Sequence, residues 1–175
     1  VGGAFFSIVY VYLGGFSSVV RTDIFQTVCM FAGFIVLFFF LVTRYGGLDF
    51  LQANLPADHL TWHGGRSGWY IATWYVIALM TLAEPAFFQR CCAAKSPATA
   101  RNGILLAIGL WACFDFLTTS CGMYARALLP NLADPVSSFP ALAMQILPAG
   151  ILGMFVLGMV TTVQSTVDSY FFISA

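Results

Sequence analysis

Long apolar stretches separated by short turn-rich connections run through the whole chain. A helix that crosses a bilayer needs about 20 apolar residues, and Asp23–Val42 is the clearest such stretch. Three further spans are predicted, together with a truncated helix that ends before Gly14 and Gly15. These four stretches are Val1–Leu13, Ser67–Phe88, Gly103–Cys121 and Pro148 to the last residue. The pattern therefore predicts an all-α polytopic membrane protein with about four full spans and a lipid bilayer around it.

Composition supports a membrane protein and excludes several other classes. The 175 residues are 60% hydrophobic and 8% charged, with a net charge of +0, which is too apolar for a soluble domain. A zero net charge argues against nucleic acid as a partner. The 5 cysteines are odd in number and lie mostly in apolar runs, which favours free thiols over a disulfide framework. The chain opens on Val1 without a signal-peptide pattern, so we expect it to be an internal part of a longer, transporter-sized protein.

Basic residues predict how the spans are oriented. Arg90, Lys95 and Arg101 crowd the predicted link at residues 90–102, which contains no acid. Short loops rich in Lys and Arg remain in the cytoplasm, so this link is predicted to be cytoplasmic. The last span then runs from outside to inside, and the expected location is a cell membrane, the bacterial inner membrane.

Acidic residues at membrane depth are the first sign of function. Asp23, Glu84, Asp115 and Asp168 fall within or at the ends of predicted spans, whereas no Lys, Arg or His lies in a span interior. Charged groups at this depth are costly and usually face a partner or a wet cavity. The counter-charge is therefore predicted to be a proton, a mobile cation or a basic residue outside this chain. The alternative for Glu84 and Asp115 is a protonated carboxyl group bonded to a nearby backbone carbonyl.

The sequence TTVQSTVDSY at residues 161–170 interrupts the last apolar stretch with hydroxyl groups. At about 100° per residue, one helix face collects four hydroxyl-bearing side chains, with Asp168 at its edge. These four are Thr162, Ser165, Thr166 and Ser169. Such oxygens are the ligands that hard cations such as sodium prefer. The alternative is that the hydroxyls only bond between helices or back to their own carbonyls.

Three motifs in order resemble the sodium/solute symporter family, the sodium-coupled carriers of glucose, proline and sialic acid. The first is YVYLGGFSSVVRTDIFQ at residues 10–26. The second is FQR at 88–90, followed by AAK at 93–95 and AR at 100–101. The third is STVDS at 165–169. The resemblance implies part of a LeuT-like inverted-repeat bundle over residues 1–175, from the end of core helix 4 to core helix 8.

The resemblance also implies residues for sodium, the coupling ion, and no other cofactor. One sodium ion would lie between core helices 1 and 8, held by the hydroxyls of Ser165 and Thr166 and the carbonyl of Thr162. Some members hold a second sodium ion at positions that match Asp23 with Ser165, Asp168 and Ser169. The alternative for Asp23 is structural, because Thr22 or Asp23 could begin a helix as its N-cap.

The expected substrate is a small organic solute. The sugar carriers of the family have an aromatic pair and a Lys at the positions of Met80-Thr81 and Trp111, which argues against a sugar here. Glu84-Pro85 resembles the acid or amide followed by Pro in bacterial members, so Glu84, Thr81 and Trp111 are the predicted substrate contacts. For Glu84 and Pro85 the alternative is a plain proline kink with Glu84 as a cap, and for Trp111 it is packing.

Two other functions compete with transport. The family's membrane core can be fused to signalling domains, which would make this chain part of a sensor. An intramembrane aspartyl protease would use two membrane acids, but it needs a Gly-x-Gly-Asp type motif that neither Asp23 nor Asp168 has. We therefore expect a transporter and not an enzyme.

Overall fold

The computed structural model describes residues 2–174, and for residues 2–8, 10, 82 and 172 it describes the backbone alone. Every regular element in this range is helical. The α-helices are α1 (Gly2–Tyr45), α2 (Leu48–Asn54), α3 (Gly68–Ala78), α4 (Pro85–Cys92), α5 (Pro97–Leu128), α6 (Ser138–Ile146) and α7 (Ala149–Ser174). Short 3-10 turns occupy Ala57–Leu60, Leu79–Ala83 and Pro135–Ser137. The prediction of an all-α protein is confirmed for the described residues.

Three helices of the described range are long and apolar enough to cross a membrane. They are Val11–Tyr45, Pro97–Leu128 and Ala149–Phe171. A fourth span results if Gly68–Thr81 and Pro85–Cys92 count as one segment with a bend of 46°. The spans predicted from the sequence correspond to these segments, although Val1 and Ala175 at the ends of two predicted stretches lie outside the described residues.

The long helix α1 contains the break predicted at its glycine pair. Gly15 has φ 57° and ψ −155°, a conformation that residues with a Cβ rarely adopt. A new helical segment follows at once, and Thr22 donates its hydroxyl to the carbonyls of Ser18 at 3.1 Å and Val19 at 2.9 Å. The N-cap alternative for Thr22 and Asp23 is therefore wrong, because both lie inside a continuous helix.

The bent span breaks at Glu84, directly before Pro85. Proline lacks an N–H group and disfavours helical dihedrals in the residue before it, and Glu84 accordingly has φ −72° and ψ 120°. Its carboxylate accepts a hydrogen bond of 2.9 Å from the backbone N–H of Phe87. Glu84 therefore caps the helix that begins at Pro85, as the structural alternative for this residue predicted.

The link predicted at residues 90–102 is much shorter in the structure. Helix α4 continues to Cys92, and α5 begins at Pro97. The hydroxyl of Ser96 caps α5 by accepting a hydrogen bond of 3.2 Å from the N–H of Thr99, an interaction worth about 1 kcal/mol. Arg90 therefore belongs to a helix, which changes its role.

Helices α1 and α7 share the most extensive contact among the described helices, and glycines remove side chains from their interface. A Cβ on Gly33 would lie 3.3 Å from the ring of Phe155, and a Cβ on Gly158 would lie 3.3 Å from the carbonyl oxygen of Cys29. Small residues allow membrane helices to approach and gain van der Waals contact, since lipid supplies no hydrophobic driving force between helices. This pairing fixes the register between Asp23 on α1 and the polar segment of α7.

An aromatic cluster fills the space beside that pair. The ring of Phe34 packs edge-on at 5.3 Å from Phe114, 5.1 Å from Phe139 and 5.3 Å from Phe155. Such pairs contribute about 0.5–1.5 kcal/mol each. They join α1, α5, α6 and α7 into one core, in which Leu37 is fully buried.

A second contact holds the connection after α1 to the end of α5. The hydroxyl of Tyr124 donates a hydrogen bond to the carbonyl of Gly46. The ring of Phe50 on α2 stacks on Tyr124 with centroids 5.9 Å apart and an interplanar angle of 12°. The connection that follows Tyr45 is therefore folded back onto the bundle.

Candidate cation site

A carboxylate on α1 meets the hydroxyl segment of α7. The Ser165 hydroxyl donates a hydrogen bond of 2.9 Å to Oδ1 of Asp23. One turn further along α7, Ser169 donates its hydroxyl to the carbonyl of Ser165 at 3.0 Å. The structure thus brings together three of the residues that the family resemblance implied for a second sodium ion.

Arg90 of α4 completes this cluster and corrects the charge argument made from the sequence. Its Nη2 donates to Oδ2 of Asp23 at 2.7 Å and to the hydroxyl of Ser169 at 2.9 Å, while Nη1 donates to the carbonyl of Ala86 at 3.0 Å. The expectation that no fixed cation in the chain neutralises the acids is wrong for Asp23. It placed Arg90 in a loop, whereas the helix that Pro85 starts carries Arg90 to the other two helices.

Asp168 is the most deeply buried acid among the described residues. Its exposed fraction is 0%, and its Oδ1 accepts a hydrogen bond of 3.3 Å from Nε2 of Gln164. The sequence places Asp168 at the edge of the polar stripe, and the structure adds that this edge is covered. The hydroxyl pattern gives the angular spread of the stripe, but packing in the bundle decides which part of it is covered, and that part is the Asp168 side.

The other side of the stripe is open. Thr162 and Thr166 are exposed, and each donates its hydroxyl one turn back along α7. The bond from Thr162 reaches the carbonyl of Gly158 at 2.9 Å, and the bond from Thr166 reaches the carbonyl of Thr162 at 3.4 Å. The adjacent residues Ser165 and Thr166 therefore point in different directions: Ser165 contacts α1, and Thr166 does not.

Gln26 is a polar group that the sequence argument did not single out. It is only 7% exposed, and its Oε1 is buried without a hydrogen-bond partner among the described residues. Gln26 lies one turn after Asp23 on α1, between the Asp23–Ser165 and Cys29–Gly158 contacts with α7. A buried acceptor without a donor is costly, and a cation would satisfy it. The sequence feature that could have pointed to Gln26 is its place in the first motif, three residues after Asp23.

The predicted substrate contacts do not share one groove. Thr81 is exposed on a 3-10 turn, and Glu84 caps the helix that follows. Trp111 is 64% exposed on α5, and the two grooves that it lines include neither Thr81 nor Glu84.

The ion pair borders a large apolar groove of about 920 Å³ between α1, α4 and α5. Asp23 and Arg90 are the charged side chains in its wall. The rest of the wall is largely apolar and consists of Phe16, Val20, Ile24, Thr27, Val28, Phe31, Ala32, Ile35, Ala93, Ala94 and Leu110. Within the described range, no cluster of three or more His, Cys, Asp or Glu residues could hold a metal ion, so oxygens of hydroxyl, amide and backbone groups must supply most ligands of any cation here.

A helical membrane bundle with hard oxygen ligands on facing helices is typical of ion-coupled secondary transporters. The chain belongs to the Sodium:solute symporter family, since the sequence pattern of that family matches residues 1–175. This is a family of transporters and not of enzymes, which excludes the aspartyl protease alternative.

Several relatives share about a quarter of their aligned residues with this chain. A sodium/pantothenate symporter of Haemophilus influenzae is 25% identical over 168 residues, which cover 92% of this chain and 35% of the relative. A sodium/myo-inositol cotransporter 2 of Oryctolagus cuniculus is 26% identical, and a human sodium/glucose cotransporter 4 is 28% identical. For each of these two, the match covers 93% of this chain and 30% of the relative. The chain thus spans about a third of the length of these relatives, and no solved structure matches it significantly.

Proposed function

We propose that the complete protein is a symporter that couples sodium to the uptake of a small organic solute by alternating access. The observation that carries the proposal is the contact between Asp23 and Ser165, which joins two facing membrane helices through the oxygens that sodium prefers. The relatives named as sodium-coupled carriers support it. In this proposal the helices form part of a LeuT-like bundle in a cell membrane, the bacterial inner membrane.

The first proposed sodium site uses the open side of the α7 stripe. Thr166 is exposed and makes only a long bond of 3.4 Å to the carbonyl of Thr162. Its hydroxyl oxygen and that of Ser165 retain lone pairs that can accept an ion. Together with the Thr162 carbonyl, they form half of a site that core helix 1 completes.

The second proposed site lies at the contact of α1 and α7. Asp23, Ser165 and Ser169 already lie together, and Asp168 supplies a second carboxylate on the same helical turn. The Gln26 oxygen, which has no partner among the described residues, is one turn away from Asp23.

The proposed substrate region is the break in the bent span. Glu84 and Thr81 flank this break, and Trp111 faces two grooves from α5. The residues at Met80, Thr81 and Trp111 lack the aromatic pair and Lys of the sugar carriers, so we propose a solute other than a sugar. The capping role of Glu84 leaves its second carboxylate oxygen available for such a solute.

Uptake into cells or vesicles tests this function. The complete protein is supplied with labelled amino acids, carboxylates and sugars in sodium, potassium or choline buffers at constant pH. We expect at least one non-sugar solute to accumulate only with sodium. Uptake that is the same in choline or potassium would overturn the proposal, and accumulation of sugars alone would overturn its substrate class.

A further inference from the structure

Arg90 joins α4 to two other helices through one side chain. Its guanidinium contacts Asp23 on α1 at 2.7 Å and Ser169 on α7 at 2.9 Å, and Nη1 contacts the carbonyl of Ala86 in its own helix at 3.0 Å. In the described part of the chain, both hydrogen bonds that join α4 to α1 or α7 come from Arg90. The guanidinium therefore supplies the polar part of the contact between α4 and the α1–α7 pair, beside the packing of α4 on α7.

Each carboxylate oxygen of Asp23 already has a donor in this arrangement. Oδ1 accepts the Ser165 hydroxyl, and Oδ2 accepts Arg90. A sodium ion at Asp23 would lie within a few ångströms of the guanidinium, and two positive charges this close repel each other even at a partly exposed site. Sodium and Arg90 are therefore alternative partners of the same carboxylate.

Arg90 can leave the carboxylate without rebuilding the bundle. The side chains of Arg90 and Asp23 are 35% and 20% exposed, and both border the apolar groove. Helix α4 is only 8 residues long and lies between the break at Glu84 and the link at residues 93–96. The bond from Arg90 to the Ala86 carbonyl is internal to α4, so it can persist when the bonds from Arg90 to Asp23 and Ser169 are broken.

We infer that Arg90 is a tethered competitor of the coupling ion: it neutralises Asp23 when sodium is absent, and sodium binding at Asp23 releases α4 from α1 and α7. This inference rests on the proposed sodium-coupled function. It gives ion binding a direct mechanical result, because α4 is one half of the bent span that carries the proposed substrate region. It also explains how an acid with a fixed partner can still serve a mobile ion.

Equilibrium binding of radioactive ²²Na⁺ to the purified complete protein, with choline as the balancing salt, tests the competition. Arg90→Gln removes the competing charge and should lower the half-saturating sodium concentration by about tenfold, equivalent to about 1.4 kcal/mol. Arg101→Gln is the matched control, because it removes the same charge from an exposed position on α5 and should leave the half-saturating concentration unchanged. The double variant Arg90→Gln/Asp23→Asn should bind sodium no better than Asp23→Asn.

The outcomes separate this inference from the function on which it rests. Failure of the wild-type protein to bind sodium would overturn the proposed function itself. Sodium binding by the wild type with an unchanged or weaker affinity in monodisperse Arg90→Gln would overturn only the competition.

A second measurement leaves Arg90 intact, in case Arg90→Gln does not fold. Cys91 is a half-buried free thiol on α4 next to Arg90. With the other cysteines of the complete protein replaced, sodium should speed alkylation of Cys91 relative to choline, and Asp23→Asn should abolish this effect. Equal rates in sodium and choline would contradict the release of α4.

Discussion

Ser165 and Asp23 are joined across two helices by a hydrogen bond of 2.9 Å from hydroxyl to carboxylate. Because Ser165 also neighbours Thr166 on the open side of α7, one hydroxyl belongs to both proposed sodium sites. Loss of the Ser165 hydroxyl should therefore weaken both proposed sodium sites.

Ser165→Ala and Thr166→Ala should each raise the sodium concentration for half-maximal uptake by about tenfold, since a lost polar partner costs about 1–3 kcal/mol. Thr161→Ala is the matched control. Its hydroxyl bonds only to the carbonyl of Gly158 at 2.9 Å, so its loss should leave the sodium dependence unchanged. Equal effects of all three changes on expression, with no change in sodium dependence, would favour the hydroxyls as helix contacts only.

Asp23→Asn and Asp168→Asn should each lower the Hill coefficient for sodium if the two acids serve one ion. The double variant should have a Hill coefficient close to that of either single variant, because either change alone already removes the shared sodium site. Sodium-dependent uptake by the complete protein measures both effects. Additive losses would show that the two acids act independently.

Gln26→Leu should raise the half-saturating sodium concentration without impairing folding, since it removes a buried oxygen that has no donor among the described residues and replaces it with an apolar side chain of similar size. Gln26→Glu restores an oxygen and should bind sodium more tightly than Gln26→Leu. If Gln26 serves only the packing of α1, sodium titrations of the two variants will coincide with that of the wild type.

A single cysteine at Ala98, in an otherwise Cys-free complete protein, should react with an impermeant maleimide only after the cells are permeabilised. Ala98 is exposed beside Lys95 and Arg101, where basic residues predict the cytoplasmic side. Ala57 lies exposed in the connection after α2, and a cysteine there should react in intact cells. The reverse pattern would invert the topology.

Gly158→Leu should destabilise the bundle by about 1–3 kcal/mol, the usual cost of overpacking, because even a Cβ at this position would lie 3.3 Å from the Cys29 carbonyl oxygen. A Cβ on Gly153 of the same helix would meet no neighbouring atom of the described residues within 4 Å, so Gly153→Leu is the control. The temperature at which each detergent-solubilised protein loses its monodisperse size-exclusion peak compares them. Equal temperatures would contradict a close α1–α7 contact.

The sequence predicted the helix breaks well, because these breaks depend on the backbone chemistry of single residues. The breaks at Gly15 and Pro85 follow from the dihedral freedom of glycine and the missing N–H of proline. The N-cap at Thr22 failed because the capping preference, worth about 1 kcal/mol, is outweighed by an uninterrupted run of helical hydrogen bonds. Propensity at one residue could not reveal that the helix had already begun at the glycine break.

The partners of the candidate site could not be predicted from spacing on one helix. The hydroxyl pattern of α7 gave the residues, but the burial of Asp168 depends on how the bundle covers that helix. The reach of Arg90 to Asp23 depends on where α4 begins and on how it lies against α1 and α7. Both are tertiary relationships, and the charge pattern of the sequence pointed away from the second one.

The bond from Tyr124 to the carbonyl of Gly46 fixes one end of α1 to one end of α5. Stacking of Phe50 on Tyr124 stiffens the same junction. Asp23 lies 23 residues before Gly46, which directly follows α1, about 35 Å away at 1.5 Å per residue. Helix α1 is therefore anchored at two distant points, by Tyr124 just after its last residue and by Ser165 at Asp23.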